Sequence, residues 1–164
     1  MEQKKRIRGV LTNKRMRRKF KANRKVRNAT TKVYKGIKFR SKLELFTYRK
    51  LEEAGIKALY EKEKFVLMEG FRYTQDSIEP SNKKATKGQF INNTDKVRDI
   101  TYTPDFVDPN GKWIIEVKGF ANDVFPLKWK LFKHMLYHHD DPPVLYLPKN
   151  QKQVLETIEL IKEL

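Results

Sequence analysis

Three charged residues lie on two runs of sequence that otherwise predict buried β-strands. Asp105 follows a proline in "TYTPDFV", and Glu116 and Lys118 stand two residues apart in "WIIEVKG". Asp, Glu and Lys are poor strand formers, so their presence there calls for a chemical reason. Two carboxylates a few ångströms apart can bind Mg²⁺, and a neighbouring lysine can orient a metal-bound water and offset phosphate charge. The residue types therefore predict metal-assisted hydrolysis of a phosphodiester.

A short turn sequence connects the two runs. "DPNG" at 108–111 has Asp, Pro and Gly at the places that a type I turn prefers. The pattern predicts a hairpin of the segments 97–107 and 113–120.

The register of this hairpin decides whether the three charges can meet. If the turn closes without a bulge, Asp105 lies opposite Ile114. Side chains alternate along a strand, so Asp105, Glu116 and Lys118 would then share one face. The other face would hold Trp113, Ile115 and Val117. A single bulge in the turn would put Asp105 on the wrong side, which makes the register a testable expectation.

A fourth acidic residue falls on the apolar side of a predicted helix. The helix spans Ser41–Ala54 and ends at Gly55, where a left-handed cap is favoured. Its apolar sector is formed by Leu43, Tyr48, Leu51 and Ala54. Glu44 lies inside this sector, although burying an unpaired carboxylate is expensive. Either Glu44 folds back onto the Ser41 amide as a capping box, or it faces a metal-bearing site on the sheet beneath.

The remaining elements are read from periodicity and turn residues. We expect an extended lead-in at "VYKGIKF", a strand near Phe65–Met68, a helix from about Val124 to His138, a strand at "PVLYLP" and a terminal helix. Caps are predicted at Asn122 or Asp123 for the second helix and at Asn150 for the last. The buried face of the second helix is predicted as Leu127, Leu131 and Met135, with Phe132 and Leu136 nearby. That of the last helix is predicted as Val154, Leu155, Ile158 and Ile161.

A long polar segment precedes the hairpin and is predicted to be a loop. Segments of this length are commonly functional or disordered. Its basic residues Arg72, Lys83, Lys84 and Lys87 could touch a phosphate backbone. A solvated loop would look identical, so the sequence assigns no site there.

Two further side-chain patterns on the second helix carry weaker signals. His134 and His138 are spaced i, i+4, as in half of a zinc site, but no third ligand is evident and histidines favour a last helical turn. Lys128 could point towards DNA, although a solvated lysine is the commoner case. We therefore expect no zinc, and Lys128 is a candidate nucleic-acid contact.

Composition limits the class of protein. The 164 residues include 37 Lys or Arg against 20 Asp or Glu, a net charge of +17, and no cysteine. Such a charge predicts a polyanionic partner, above all nucleic acid. Disulfides and thiolate metal sites are excluded, and no apolar run is long enough for a membrane span or a signal peptide. We expect a soluble cytoplasmic protein that binds no membrane.

The positive charge is concentrated at the N-terminus. Residues 1–27 hold thirteen Lys or Arg and one acid. A segment this charged cannot bury enough apolar surface to order itself, so residues 1–30 are predicted to be a flexible, nucleic-acid-binding arm and residues 31–164 a folded domain. The candidate contacts in the arm are Arg15, Arg17, Arg18 and Lys19. A solubilising tail or a nuclear localisation signal would look similar.

"PDF" at 104–106, "EVK" at 116–118 and Glu44 on the preceding helix together resemble the PD-(D/E)xK nuclease superfamily. The resemblance implies an α/β fold of the restriction-endonuclease-like type, with an α-β-β-β-α-β core, a mixed sheet and here a C-terminal helix. It also implies that Asp105, Glu116 and the main-chain carbonyl of Val117 bind Mg²⁺, for which Mn²⁺ can substitute. Lys118 resembles the catalytic lysine, and Glu44 an auxiliary metal ligand.

The sequence over about 34–147 is more narrowly similar to small phage-encoded proteins of that superfamily with suspected resolvase-like activity. The segments that carry this similarity are "GIKFRSKLE", "YTPDF" and "EVKGF". They imply a Mg²⁺-dependent DNA endonuclease selective for branched DNA, acting in the cytoplasm of a bacterial host. The alternatives are a transposon-end or mismatch-nicking endonuclease of the same fold, and a non-catalytic nucleic-acid-binding protein. A homodimer would suit cutting of two strands.

Overall fold

The computed structural model describes residues 31–119 and 124–164, which form a mixed α/β fold. The strands are β1 (Lys32–Tyr34), β2 (Ile37–Phe39), β3 (Leu59–Tyr60), β4 (Phe65–Met68), β5 (Ile78–Pro80), β6 (Phe90–Asn92), β7 (Ile100–Tyr102), β8 (Phe106–Val107), β9 (Trp113–Ile115) and β10 (Val144–Tyr146). The helices are α1 (Lys42–Glu53), α2 (Phe125–Tyr137) and α3 (Gln151–Lys162). The α/β class and the C-terminal helix predicted from sequence are confirmed. The predicted arm, with Arg15, Arg17, Arg18 and Lys19, lies outside the described residues.

A four-stranded mixed sheet forms the centre of the fold. Its strand order is β10-β9-β8-β3, in which β10 runs parallel to β9 and the other neighbours are antiparallel. The parallel pair needs a crossover, which α2 supplies between β9 and β10. The mixed sheet expected from sequence is thus confirmed.

The predicted long strand 97–107 is divided at Pro104. Residues before the break form β7, which pairs with β4, and residues after it form β8, which pairs with β9 and β3. Proline has no N–H for a ladder, so the chain can change partners at this position. The break places Tyr102 and Asp105 on different ladders, although only two residues separate them.

Helices cover both faces of the central sheet. One face packs against α1 and α3 and contains the buried residues Leu51, Phe106, Trp113, Ile115, Val117, Val154, Ile158 and Ile161. The other packs against α2 and contains Tyr102, Val107, Ile114, Phe125, Phe132 and Leu136. The predicted alternation of Trp113, Ile115 and Val117 away from the charged face is therefore confirmed.

Two helices begin and end as their caps predict. Ser41 caps the N-terminus of α1. Gly55 follows the C-terminus of this helix at a φ of 71°, a backbone conformation that residues with a side chain rarely adopt. Asn150 caps α3 by accepting a hydrogen bond from the Gln153 N–H at 3.0 Å. The predicted stripe of α3 is wrong at Leu155, which is 46% exposed. Thr157 is buried in its place.

The predicted buried face of α2 is rotated relative to the observed one. Leu127 is 58% exposed, whereas Phe125, Phe132 and Leu136 are buried. Aromatic residues bury more area than leucine, so the helix turns them towards the sheet. Pro126 stands in the first turn as expected, and the predicted caps Asn122 and Asp123 lie outside the described residues.

The long polar segment before β7 forms a two-stranded ribbon instead of the expected loop. The β4–β7 ladder continues through a bridge between Phe71 and Val97 into the β5–β6 ladder. We call residues 65–102 the ribbon and residues 81–89 its tip. A second unpredicted hairpin joins β1 to β2 through Lys35 and Gly36, both at positive φ, as a primed two-residue turn requires.

Within the part of the chain that the structure describes, no helix has the length and apolar character needed to cross a membrane.

Candidate active site

Three carboxylates stand side by side where β3 and β9 end and β8 begins. Tyr60 pairs with Phe106, which pairs with Ile115. One step further along these strands, the same register aligns Glu61, Asp105 and Glu116. The Glu61 N–H donates to the Asp105 carbonyl at 2.9 Å, which extends the ladder to this row. Paired residues on neighbouring strands project to the same face, so the acids converge there.

The hairpin register differs from the predicted one by two residues. The turn closes as expected, with the Gly111 N–H donating to the Asp108 carbonyl at 2.9 Å. However, Lys112 is also part of the connection, since its N–H donates to Oδ2 of Asp108 at 2.9 Å. Asp105 consequently aligns with Glu116, so the predicted partner Ile114 is wrong. Because the shift is an even number, the predicted shared face is preserved.

Glu44 reaches the row from the first turn of α1. Its N–H donates to Oγ of Ser41 at 3.1 Å, which is one half of a capping box. A complete capping box would also have the Glu44 carboxylate accept the Ser41 N–H, and the structure does not show this hydrogen bond. Oε2 instead accepts the Arg40 N–H at 2.9 Å and the Tyr60 hydroxyl at 2.7 Å. Glu44 is thus both a cap-related residue and a member of the acidic site.

Asp105 is held by the neighbouring strand. Its Oδ2 accepts the Val117 N–H at 2.7 Å, whereas the N–H groups of Glu116 and Lys118 donate to the opposite side, to Tyr146 and Pro148. The N–H and C=O of a strand residue lie on the same edge. The Val117 carbonyl, a ligand predicted by resemblance, therefore faces the Asp105 side of the strand.

Glu116 and Lys118 form an ion pair at the next position along the row. Nζ of Lys118 lies 3.1 Å from Oε1 of Glu116, and 4.6 Å from the centre of the Phe125 ring. The Tyr102 hydroxyl donates to Oε2 of Glu116 at 2.7 Å. Glu116 is buried and Lys118 remains 28% exposed at its side chain, so the ammonium can reach both the acids and a bound molecule.

Glu61 is a site residue that the sequence reading missed. One carboxylate oxygen from each of Glu44, Glu61 and Asp105 lies within 4.8 Å of the others. The sequence predicts a strand near Phe65–Met68, which is β4, whereas Glu61 follows the two-residue strand β3. Glu61 has a φ of 46°, and its Oε1 pairs with the Arg40 guanidinium at 2.9 Å. Two residues of strand give too short a periodicity to detect.

Crowding of the acids changes their protonation. Burial, followed by the charges of Glu116 and Glu44, raises the pKa of Asp105 well above its usual range. Burial also raises the pKa of Glu61, against the lowering effect of Arg40. Burial likewise raises the pKa of Tyr60 and Tyr102, so both hydroxyls remain donors to their glutamates. A cation among the acids would relieve the repulsion that opposes their ionisation.

The donor set suits a hard divalent cation. Among the described residues, the only group of three potential metal-binding side chains is Glu44, Glu61 and Asp105, all oxygen donors. Mg²⁺ has oxygen ligands at about 2.1 Å, so two ligands of one ion lie at most about 4.2 Å apart. The observed spacing of up to 4.8 Å is close to this limit. Small side-chain rotations would bring the oxygens into range.

Removal of the Tyr102 hydroxyl should destabilise the protein. Tyr102→Phe would leave a buried carboxylate oxygen of Glu116 without its donor, which costs about 1.5–3 kcal/mol for a charged acceptor. Urea unfolding of the metal-free protein measures this loss. The matched control is Tyr48→Phe, because the Tyr48 hydroxyl has no hydrogen-bond partner among residues 31–119 and 124–164. Equal stability of the two variants would contradict the assigned role.

The structure does not bring the remaining candidates to the acids. Nζ of Lys128 donates to the Thr101 carbonyl at 2.9 Å, which ties α2 to β7. His134 and His138 stack edge to face at 4.9 Å on the exposed end of α2. They belong to no cluster of three metal-binding side chains among the described residues. Lys128 thus has a structural partner.

Comparison with known proteins identifies a family. Residues 17–141 match the family model described as "Protein of unknown function (DUF1064)". No curated protein and no solved structure matches the chain. The matched segment includes α1, the row of acids and α2.

Proposed function

We propose that this chain, which belongs to the DUF1064 family, is a Mg²⁺-dependent DNA endonuclease of the PD-(D/E)xK type. The observation that carries the proposal is the meeting of Glu44, Glu61 and Asp105 beside the Glu116–Lys118 ion pair. These residues come from α1 and from the chain next to β3, β8 and β9, which are separate in sequence. A purely structural role for Asp105 would be costly, because burial and the charges of Glu116 and Glu44 oppose the ionisation of its carboxyl group.

Each residue of the site would have a separate role in phosphodiester hydrolysis. Mg²⁺ or Mn²⁺, when bound, would polarise the phosphate and supply a water of lowered pKa. Asp105 would hold the cation together with Glu116 and the Val117 carbonyl, and Glu44 would support it. The ammonium of Lys118, which already donates to Glu116, would donate to the attacking oxygen and to the phosphate. Tyr102 and Tyr60 would orient Glu116 and Glu44, which accept hydrogen bonds from their hydroxyls.

DNA is the proposed substrate because of the charge of the chain. A net charge of +17 attracts any polyanion, and residues 1–27 hold most of it. Within this class we favour branched DNA, as in phage recombination or repair, in the cytoplasm of a bacterial host. A dimer that presents two sites would cut both strands. Transposon ends or mismatches are the next candidates.

A cleavage panel tests the proposed function. Full-length protein is incubated with linear, nicked, flapped and four-way DNA in Mg²⁺, in Mn²⁺ and in EDTA. We expect metal-dependent nicks, with the branched substrates cut faster than the linear one. If no substrate is cut in either metal while all are bound, the protein is a non-catalytic nucleic-acid-binding protein and the proposal fails.

Deletion of residues 1–27 should weaken DNA binding without stopping cleavage. Each lost phosphate contact reduces the slope of log affinity against log salt by about 0.9 on duplex DNA. Fluorescence anisotropy across a salt series measures this slope, and single-turnover cleavage at low salt measures the chemistry. An equal loss of cleavage rate at every salt concentration would instead assign the segment to the active site.

A further inference from the structure

The ribbon projects from the hydrophobic core. None of its residues from 69 to 99 belongs to either buried cluster, and Ser81 is the only buried residue in that range. At its base, β7 contains Tyr102, which contacts Glu116 of the acidic site. From Tyr102 to Phe90 the chain spans twelve residues, at most about 40 Å at the usual strand rise. The ribbon could therefore reach about one turn of duplex DNA from the site.

One face of the outer ribbon is apolar and exposed. Paired residues share a face, so the register places Phe90 beside Pro80, and Ile78 on the same side two residues away. Phe90 is 72% exposed and Ile78 58%. Within the part of the chain that the structure describes, these residues therefore form an exposed apolar surface on the outer, two-stranded part of the ribbon.

The tip beside this face is positively charged and ordered. Residues 81–89 contain Lys83, Lys84 and Lys87 and no acid, and all three lysines are exposed. Ser81 organises the tip, because its Oγ lies 2.7 Å from Oγ1 of Thr86 and its N–H donates to the Gln89 carbonyl at 2.8 Å. The lysines are thus presented on a defined turn, which lowers the entropy lost on binding.

The ribbon contains five acids, Glu69, Asp76, Glu79, Asp95 and Asp99, and none of them belongs to the tip. Asp76 accepts a hydrogen bond at 2.6 Å from Asn92, at the Ile78 end of the apolar face, and Asp99 accepts the Gly70 N–H at 2.8 Å near the base. Glu79 pairs with Ile91 on the opposite face from Phe90 and accepts hydrogen bonds from Ser77 and Asn93. The charge of the tip, which adjoins Phe90, is consequently positive and complements a phosphate backbone.

We propose that the tip and the apolar face of the ribbon bind DNA at an interruption of the base stack. Phe90 stacks on an unpaired base, and the three lysines of the tip contact the adjacent phosphates. Apolar side chains inserted between bases and aromatic rings stacked on single bases are established modes of DNA binding. The inference rests on the proposed function, since it names the DNA feature that the nuclease selects.

The test measures binding in EDTA, where cleavage plays no part. Full-length protein is titrated by anisotropy with a fluorescein-labelled duplex and with the same duplex carrying a bulge of unpaired thymines. We expect wild type to bind the bulged DNA more tightly. Phe90→Ala should reduce this preference about tenfold and leave duplex affinity nearly unchanged. The control Tyr137→Ala removes an aromatic residue that is 80% exposed at the end of α2, and it should retain the preference.

Replacement of the tip lysines gives an independent readout. The triple variant Lys83→Ala, Lys84→Ala, Lys87→Ala should weaken binding to both DNAs and lower the salt slope by about 2.7. When 2-aminopurine replaces a base of the bulge, wild type should change its fluorescence on binding, and Phe90→Ala should not. The proposal is overturned if wild type shows no preference for the bulge, or if Phe90→Ala keeps both the preference and the fluorescence change. Cleavage by wild type in Mg²⁺, assayed separately, reports on the proposed function alone.

Discussion

Asp105→Asn should abolish cleavage and at the same time stabilise the metal-free protein. Loss of a metal ligand removes several kcal/mol of transition-state stabilisation, so the cleavage rate should fall at least about 10³-fold. In EDTA the neutral amide can still accept the Val117 N–H while it no longer repels Glu116 and Glu44. A gain of about 1 kcal/mol in the free energy of unfolding is expected. Urea unfolding, in EDTA and then in Mn²⁺, measures both effects.

The pH dependence of this gain follows from the sign of the pKa shift. Burial and the neighbouring charges raise the pKa of Asp105 in the folded chain. In the metal-free wild type, the stability present below the ordinary aspartate pKa of about 3.9 is therefore lost as pH rises through the raised folded value. The excess stability of Asp105→Asn over wild type should grow between the ordinary pKa of aspartate and the raised folded pKa of Asp105, and stay constant at higher pH. If the free energies of unfolding of Asp105→Asn and wild type differ by about zero at every pH from 3 to 8, the inferred repulsion between Asp105 and its neighbours is wrong.

Asp108→Asn is the matched control for Asp105→Asn. Asp108 is also buried and lies on the other side of β8, but its Oδ2 accepts the Lys112 N–H in the turn. We expect this variant to bind metal and cleave DNA like wild type, without a gain in stability. Stabilisation by both substitutions would mean that the effect belongs to any buried aspartate of the hairpin.

Lys118→Ala should lower the cleavage rate by about 10²–10⁴-fold while DNA binding in EDTA persists. The ammonium is the only cation within hydrogen-bonding distance of Glu116 among the described residues, and it also opposes the raised pKa of Asp105. Its loss should shift the pH profile of Mn²⁺ binding upwards, because Asp105 then releases its proton at higher pH. Single-turnover cleavage and a Mn²⁺ titration at several pH values provide the two measurements.

Lys128→Ala separates the role of Lys118 from that of any nearby lysine. Lys128 donates to the Thr101 carbonyl and has no contact with the acids. The variant should lose some stability and keep its cleavage rate at saturating DNA. If Lys128→Ala abolishes cleavage while Lys118→Ala does not, the assignment of the catalytic lysine is wrong.

The sequence was sufficient for the parts of the site that depend on local pattern. Glu44 stood out because one polar residue interrupts an apolar helical sector. The face shared by Asp105, Glu116 and Lys118 followed from the alternation of side chains. The exact register did not, because the inclusion of Lys112 in the turn depends on a hydrogen bond to the Asp108 side chain.

The parts that the sequence could not supply depend on contacts between distant segments. Glu61 enters the site only because Leu59–Tyr60 pairs with β8, and nothing local marks two residues as a strand. The rotation of α2 likewise reflects competition between aromatic and aliphatic side chains for the same sheet face. The ribbon was read as a loop because its strands are short, polar and stabilised mainly by each other.

The family match ends at residue 141, but the cooperative folding unit does not. Residues 142–164 supply β10 and α3. Carbonyls at Tyr146 and Pro148 fix the backbone of Glu116 and Lys118, while Val154, Ile158 and Ile161 fill the core beneath them. A chain cut at the edge of the match would therefore expose the apolar face of the sheet and remove the carbonyls that hold the backbone of both residues. The candidate site of the matched segment is therefore supported by a C-terminal segment that contains none of the candidate catalytic residues.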